Sequence, residues 1–170
     1  MTPLLEGNED PRSVLIAREI GAISDADIVS WASRHAAPQD YAEDIDYLRL
    51  VRCNPKNAIA LANAHGHLKS LITRRFPGFN DRSEEASQIA REMFLRRLRA
   101  YLQDDIDPFY ICRMVSPIEE RYEFPRWLGD LYNACDWTDE RTTREQASHL
   151  REAIQQILAH NAENPANGGS

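Results

Sequence analysis

SEEASQIAREMFLRRLRAYLQ, residues 83–103, has the apolar spacing of one long amphipathic helix. Ser83 and the two glutamates after it form a typical helix start, so we predict a helix from Glu84 to Gln103. Its apolar residues cover a wide face and are Ala86, Ile89, Met93, Phe94, Leu95, Leu98, Ala100 and Leu102. Because such a helix needs packing partners on several sides, we predict that it lies at the centre of the fold.

Helix start and stop signals also precede this segment. Asp10-Pro11 supplies a cap with a first-turn proline, and Gly21 supplies a stop. Ser24 and Asp27 form a variant of the capping box that opens a second helix. Only 7 glycines and 9 prolines in 170 residues leave little material for a turn-rich β fold. We predict an all-α fold, a single compact domain of about seven to nine helices, with stacked helical hairpins as an alternative arrangement.

Two further signals predict individual helices. Asp40 can cap a helix, and Thr142 with Glu145 forms a capping box for the last helix. The helix after Asp40 has a predicted core stripe of Tyr41, Ile45, Leu48 and Val51. The polar, glycine-containing end predicts a disordered tail at residues 161–170, which leaves residues 1–160 as the domain.

Charge is segregated along the chain. The net charge of −7 divides into −6 for residues 1–50, +6 for residues 51–100, −6 for residues 101–150 and −1 for residues 151–170. One interpretation is internal, with basic middle helices pairing with acidic neighbours. The other is that an acidic face is left for a basic partner. The sequence leaves both open.

The three cysteines are Cys53, Cys112 and Cys135. An odd and sparse set argues against a disulfide framework and fits a reducing compartment, with Cys135 as a buried structural cysteine. No apolar run is long enough to span a bilayer, and the N-terminal residues lack the layout of an export signal. We therefore predict a cytoplasmic protein with no membrane partner.

No local motif supplies catalytic chemistry. The chain lacks a nucleophile elbow, a phosphate-binding loop and a dinucleotide fingerprint. His65 and His67 are the only close histidine pair, and on a helix they would lie on different faces. We predict no catalytic residue, no metal site and no cofactor. The alternative is a helical enzyme whose site is assembled from distant residues, for example a cysteine–histidine pair.

A basic stretch raises a second alternative, a nucleic-acid-binding regulatory module. Its residues are Lys69, Arg74, Arg75, Arg91, Arg96, Arg97 and Arg99. Such a site needs several cations on one exposed face, and the overall acidic balance disfavours a large phosphate footprint.

The most informative region is residues 101–137, which hold 8 of the 14 aromatic residues and many acids. Helical spacing assigns Phe109, Phe124, Trp127 and Tyr132 to the core. Tyr122 is flanked by charges and is predicted to be exposed. Tyrosine and tryptophan anchor interfaces, and carboxylates around them attract a basic partner. We predict partner-binding residues Glu119, Glu120, Tyr122, Glu123, Asp139 and Glu140.

Two short segments carry a resemblance. ISDADIVSWA at residues 23–32 and FPRWLGDLYNACDW at residues 124–137 resemble segments of small all-helical bacterial proteins of unassigned function. Some of those proteins are similar to the immunity partners of secreted toxins. The resemblance implies a binding role and carries no catalytic residue. We predict a non-enzymatic protein-binding module of the immunity or antitoxin type, which neutralises a basic toxin through an acidic, aromatic-containing face.

Overall fold

The structure is a computed structural model that describes residues 4–35 and 41–163. Within these ranges it contains ten α-helical segments, one short 3₁₀ helix at Arg126–Leu128, and no strand. The α-helical segments are α1 (Pro11–Glu19), α2 (Asp25–Arg34), α3 (Ile45–Val51), α4 (Ala58–Ala62), α5 (Ala64–Arg75), α6 (Glu84–Gln103), α7 (Pro108–Cys112), α8 (Val115–Tyr122), α9 (Leu131–Cys135) and α10 (Ser148–Glu163). Of these, α4, α7 and α9 are short segments of 5 residues. The other seven confirm the predicted all-α class and helix number.

The chain divides into two compact units, an N-terminal unit that ends at Asp81 and a C-terminal unit that begins at Arg82. The single domain over residues 1–160 stays a prediction, and each unit is described by itself.

The N-terminal unit packs α5 against α1, α2 and α3. The two predicted helix starts are confirmed, because Asp10 accepts from the Arg12 N–H and Ser24 forms a reciprocal capping box with Asp27. Trp31 of α2 is fully buried, and its Nε1 donates to the Glu9 carbonyl at 3.1 Å. This hydrogen bond satisfies the polar end of the largest core side chain.

Helix α3 buries a different face from the one predicted. Asp44 caps the helix, and the buried residues are Asp46, Tyr47 and Leu50. The predicted stripe is therefore wrong for Ile45 and Val51, which are exposed. Periodicity assigns apolar residues to the core, but the buried Asp46 carboxylate contacts His67 and Arg74 of α5, so the face of α3 that packs on α5 includes Asp46 and not Ile45. The predicted cap at Asp40 lies outside the described residues.

The C-terminal unit is organised around α6, whose predicted bounds are confirmed and which packs against α7 and α10. Before α10, which begins at Ser148, a reciprocal side-chain pair lies one residue later than the predicted capping box and closes a turn that precedes the helix. Thr143 N–H donates to Gln146 Oε1 at 3.0 Å, and Gln146 N–H donates back to Thr143 Oγ1 at 3.4 Å. This reciprocal pair replaces the predicted pair of Thr142 and Glu145.

The predicted tail at residues 161–170 begins inside α10, which continues through Glu163. Asn161 is buried, accepts from Arg91 Nε at 2.8 Å and donates to the Ile157 carbonyl at 2.7 Å. These contacts hold the last turn on α6. Residues 164–170 lie outside the described residues.

Cys112 of α7 and Cys135 of α9 form a disulfide, with their Cα atoms 5.4 Å apart. The prediction of no disulfide was wrong, because packing of α7 on α9 joins two cysteines that are 23 residues apart in sequence. Cys53 is the remaining free thiol. Disulfides persist in oxidising compartments, so this bond weighs against the cytoplasmic location, which stays a prediction.

Among the described helices, none combines the length and apolar content that crossing a bilayer requires.

Candidate functional site

Three large aromatic side chains are exposed within fourteen residues of the C-terminal unit. Phe124 is 74% exposed, Tyr132 52% and Trp137 90%. We call residues 124–137 the aromatic segment. The prediction of a core position is correct for Trp127, which is buried beside Phe94, but wrong for Phe124 and Tyr132. Exposed aromatic side chains are unfavourable in water, and tyrosine and tryptophan are enriched at interfaces.

Backbone conformation sets the start of this segment. Glu123 ends α8 in the left-handed conformation with φ of 52°, and Phe124 follows with φ of 55°. Two consecutive non-glycine residues in this region cost roughly 1 kcal/mol each or more. The turn ends α8 and leaves Phe124 in solvent instead of the core.

Trp137 lies at a groove of about 470 Å³ on the C-terminal unit. The groove runs beside α9 and α10, its charged lining residues are Asp130 and Glu152, and His149 also lines it. Neither lysine nor arginine is among the described residues that line it. An exposed tryptophan therefore lies at a groove whose charged lining residues are acidic.

The six predicted partner-binding residues do not share one location. Glu120, Tyr122 and Glu123 line a separate cleft of about 350 Å³, which Arg82 and Arg121 also line. Tyr122, predicted to be exposed, is half-buried. The protein's own arginines therefore lie beside the carboxylates that were predicted to meet a basic partner.

Asp139 and Glu140 follow Trp137 and are exposed. The Asp139 side chain accepts from the Arg141 N–H at 2.8 Å and from Thr142 Oγ1 at 3.1 Å. Asp139 thus shapes the turn after the aromatic segment, while Glu140 extends the acidic surface.

Glu119, the sixth predicted residue, is buried in α8 and is not available to a partner. Burial raises the pKa of its carboxyl group above the ordinary value of 4.5. A charged Glu119 therefore costs folding free energy at neutral pH, and this cost disappears as the pH falls below 4.5.

We expect Glu119→Gln to raise the free energy of unfolding at neutral pH, because the amide replaces the carboxylate at similar size without a charge. The gain should vanish when urea unfolding is repeated below pH 4.5. Glu120→Gln, the exposed neighbour, is the matched control and should change nothing at either pH. Loss of stability in Glu119→Gln at neutral pH would show that the carboxylate is compensated in the fold.

Sequence reasoning missed a charged cluster in the N-terminal unit. Arg74 of α5 donates to Asp44 from Nη2 at 2.7 Å and from Nε at 3.2 Å, and it also donates to Asp46. His67 Nδ1 lies 2.8 Å from Asp46 Oδ1, and Arg75 Nε lies 3.4 Å from Asp44. Both aspartates are buried, so the cluster fixes the start of α3 on α5.

Burial alone would raise the pKa of Asp44 and Asp46, but hydrogen bonds and attraction from Arg74 outweigh it. The pKa of each carboxyl group therefore lies below its ordinary value of 3.8. The cluster stabilises the unit at neutral pH, and this stability is lost as the pH falls below 3.8.

We expect Arg74→Gln to destabilise the N-terminal unit at neutral pH, since two buried carboxylates lose their main donor. The stability difference from the wild type should narrow below pH 3.8, where the carboxylates become protonated. The Trp31 indole resonance, followed by NMR during urea unfolding, reports this unit. Arg52→Gln is the control. A stability difference between Arg74→Gln and the wild type that does not depend on pH would contradict the role assigned to Arg74 in lowering the pKa of the two carboxyl groups.

Most of the predicted nucleic-acid stretch is engaged within the units. Besides Arg74, Arg75 and Arg91, Lys69 Nζ lies 3.3 Å from Glu19. Arg97 is buried above the Tyr110 ring, whose centroid lies 5.8 Å from its guanidinium carbon. These contacts favour the internal interpretation of the charge pattern over a phosphate-binding face.

The two close histidines face apart, as predicted from their spacing. His65 Nε2 lies 2.7 Å from Glu19, whereas His67 contacts Asp46. Within the described part of the chain, no three His, Cys, Asp or Glu side chains converge on a possible metal position.

Comparison of the chain with protein-family models, with curated proteins and with solved structures returned no match.

Proposed function

We propose that the chain is a protein-binding module whose aromatic segment docks onto a partner with a basic surface. The observation that carries this proposal is the exposure of Phe124, Tyr132 and Trp137 within fourteen residues, with Trp137 90% exposed beside a groove. Large aromatic side chains supply much contact area and have few torsions to freeze on binding.

Charge supports a basic partner. Residues 130–145 contain Asp130, Asp136, Asp139, Glu140 and Glu145 against two arginines. One of these arginines, Arg144, is used internally, because its Nη2 donates to the Tyr101 carbonyl at 2.8 Å. The surface next to Trp137 is thus left acidic, and its field accelerates encounter with a cationic protein.

The module we propose is of the immunity or antitoxin type, in which tight binding covers the working surface of a toxin. Residues 23–32 and 124–137 resemble segments of small helical bacterial proteins of unassigned function, some of which are similar to immunity partners of toxins, and this resemblance supports the proposed type. The second of those segments is the aromatic segment itself. The same residues therefore carry both the sequence resemblance and the exposed aromatic side chains.

Co-expression with the product of the neighbouring gene, followed by affinity capture, tests the function. The test variant is Glu140→Lys/Glu145→Lys/Glu152→Lys, which reverses exposed carboxylates around Trp137. The control is Glu6→Lys/Glu43→Lys/Glu92→Lys, with the same change in net charge at exposed positions elsewhere. A basic protein should copurify with the wild type and the control but not with the test variant. Absence of a protein partner, or equal capture by both variants, would contradict the proposal.

A further inference from the structure

We propose that the N-terminal unit contains a binding cleft for a small monocarboxylate with an apolar body. The cleft is lined by α3, the loop that follows it, α4 and the start of α5, and its volume is about 610 Å³. This volume falls within the range of about 300–1,000 Å³ that is typical of small-molecule sites. The site is separate from the aromatic segment, so it does not depend on the proposed partner binding.

The charged residues that line the cleft favour an anionic ligand. Its ionisable lining residues are Arg49, Arg52, His67 and the Cys53 thiol. The chain contains 27 acidic residues, yet none lines the cleft within the described ranges. A cationic lining in an acidic protein is the electrostatic signature of an anionic ligand, and arginine suits a carboxylate because it can donate two parallel hydrogen bonds.

Asparagines add neutral donors. Asn54 Oδ1 accepts from the Lys56 N–H at 3.0 Å, and Asn57 Oδ1 accepts from the Ile59 and Ala60 N–H groups, both at 3.1 Å. Because these bonds use the carbonyl oxygen of each amide, the NH₂ group of each side chain is left to donate. Both asparagines line the cleft, so its polar lining consists mainly of donors.

Apolar residues of α3 favour a ligand whose body is apolar. Ile45 and Leu48 line the cleft, and Ile45 is 56% exposed. They belong to the stripe that periodicity assigned to the core, in which Tyr41 is buried, Leu48 is half-buried and Ile45 is exposed. Ala60 is half-buried and adds to the same lining, whereas Leu50 and Ala64, which also line the cleft, are fully buried. An aliphatic or aromatic ligand body would cover this apolar area on binding.

The buried aspartates favour a single negative charge. Asp46 lies 3.5 Å from Arg49 Nη1 and therefore already offsets part of the positive charge of Arg49, and it also contacts His67 Nδ1 at 2.8 Å. Arg52 is exposed and remains the main cation for a ligand. A multiply charged phosphate would meet too little positive charge here, whereas a carboxylate matches one arginine.

The test is an NMR titration of the full, isotope-labelled chain with three probes, octanoate, octanol and inorganic phosphate. Octanoate should cause saturable shifts at residues 45–67, with octanol and phosphate weaker by at least about tenfold. Arg52→Gln should weaken octanoate binding by a similar factor, while Arg99→Gln, an exposed arginine of the C-terminal unit, should not.

Cys53 provides an independent readout, because it is free, partly accessible and lines the cleft. Saturating octanoate should slow its alkylation by iodoacetamide severalfold in the wild type but not in Arg52→Gln. Equal binding of octanol would reduce the cleft to an unspecific apolar groove, and equal binding of phosphate would reduce it to a general anion site. Either result, or no shift at residues 45–67, overturns this proposal and leaves the partner-binding proposal untouched.

Discussion

Trp137→Ala should weaken binding of the captured partner by at least about 30-fold, which corresponds to about 2 kcal/mol. Trp137 is the most exposed large hydrophobic residue of the described chain. A tryptophan that is solvated in the free protein and covered in the complex contributes its full aromatic area to binding, and such residues dominate measured interfaces. Isothermal titration with the purified partner measures the effect.

Ile59→Ala is the matched control for this experiment. Ile59 is 79% exposed but belongs to the N-terminal unit, so its truncation removes exposed apolar area that is not part of the aromatic segment. We expect the affinity of Ile59→Ala for the partner to equal that of the wild type. Equal affinities for wild type, Trp137→Ala and Ile59→Ala would exclude Trp137 as an anchor.

Cys112→Ala/Cys135→Ala should lower the free energy of unfolding of the C-terminal unit by about 3 kcal/mol. The disulfide closes a loop with a sequence separation of 23 residues, and removing a cross-link of that span frees roughly this much chain entropy in the unfolded state. The two cysteines also tie the short helices α7 and α9, which have few turns of their own to hold them. Hydrogen exchange at amides of α6 and α10, measured against denaturant, reports this unit.

Cys53→Ala is the internal control, because it removes the free thiol and leaves the disulfide intact. Cys53→Ala should not change amide hydrogen exchange in the C-terminal unit. The double variant should also bind the partner less tightly, since α9 carries Tyr132 and leads into Trp137. Identical exchange in the double variant and the wild type would show that the bond contributes nothing to this unit.

Local signals predicted much of the fold. The bounds of α6 follow from one cap and a continuous apolar pattern, and the starts of α1 and α2 follow from Asp10 and Ser24. These features depend on residues within a few positions of one another. The helical class needs no tertiary information for the same reason.

Features set by tertiary contacts could not be predicted in this way. The buried face of α3 depends on Arg74, which lies 28 residues from Asp46, and the disulfide joins helices separated by α8. Periodicity assigned Phe124 and Tyr132 to the core because it cannot register a left-handed turn or a helix of one turn.

The candidate site was predicted by region more than by residue. The acid-rich and aromatic composition of residues 101–137 predicted the region that contains the candidate site. Among the individual residues, however, Glu119 is buried and Trp137 was not among the predicted partner-binding residues. The sequence did contain a signal for the exposure of Trp137, since this tryptophan is followed by a turn of small and acidic residues.

Fluorine NMR of the chain labelled with 5-fluorotryptophan tests the central claim most directly, with the partner added. The three tryptophans give separate probes, of which Trp31 and Trp127 are buried and Trp137 is exposed in the free chain. We expect the resonance of Trp137 alone to shift between light and heavy water, and to lose that shift in the complex. A Trp137 resonance that keeps its solvent isotope shift when the partner is bound would contradict docking through the aromatic segment.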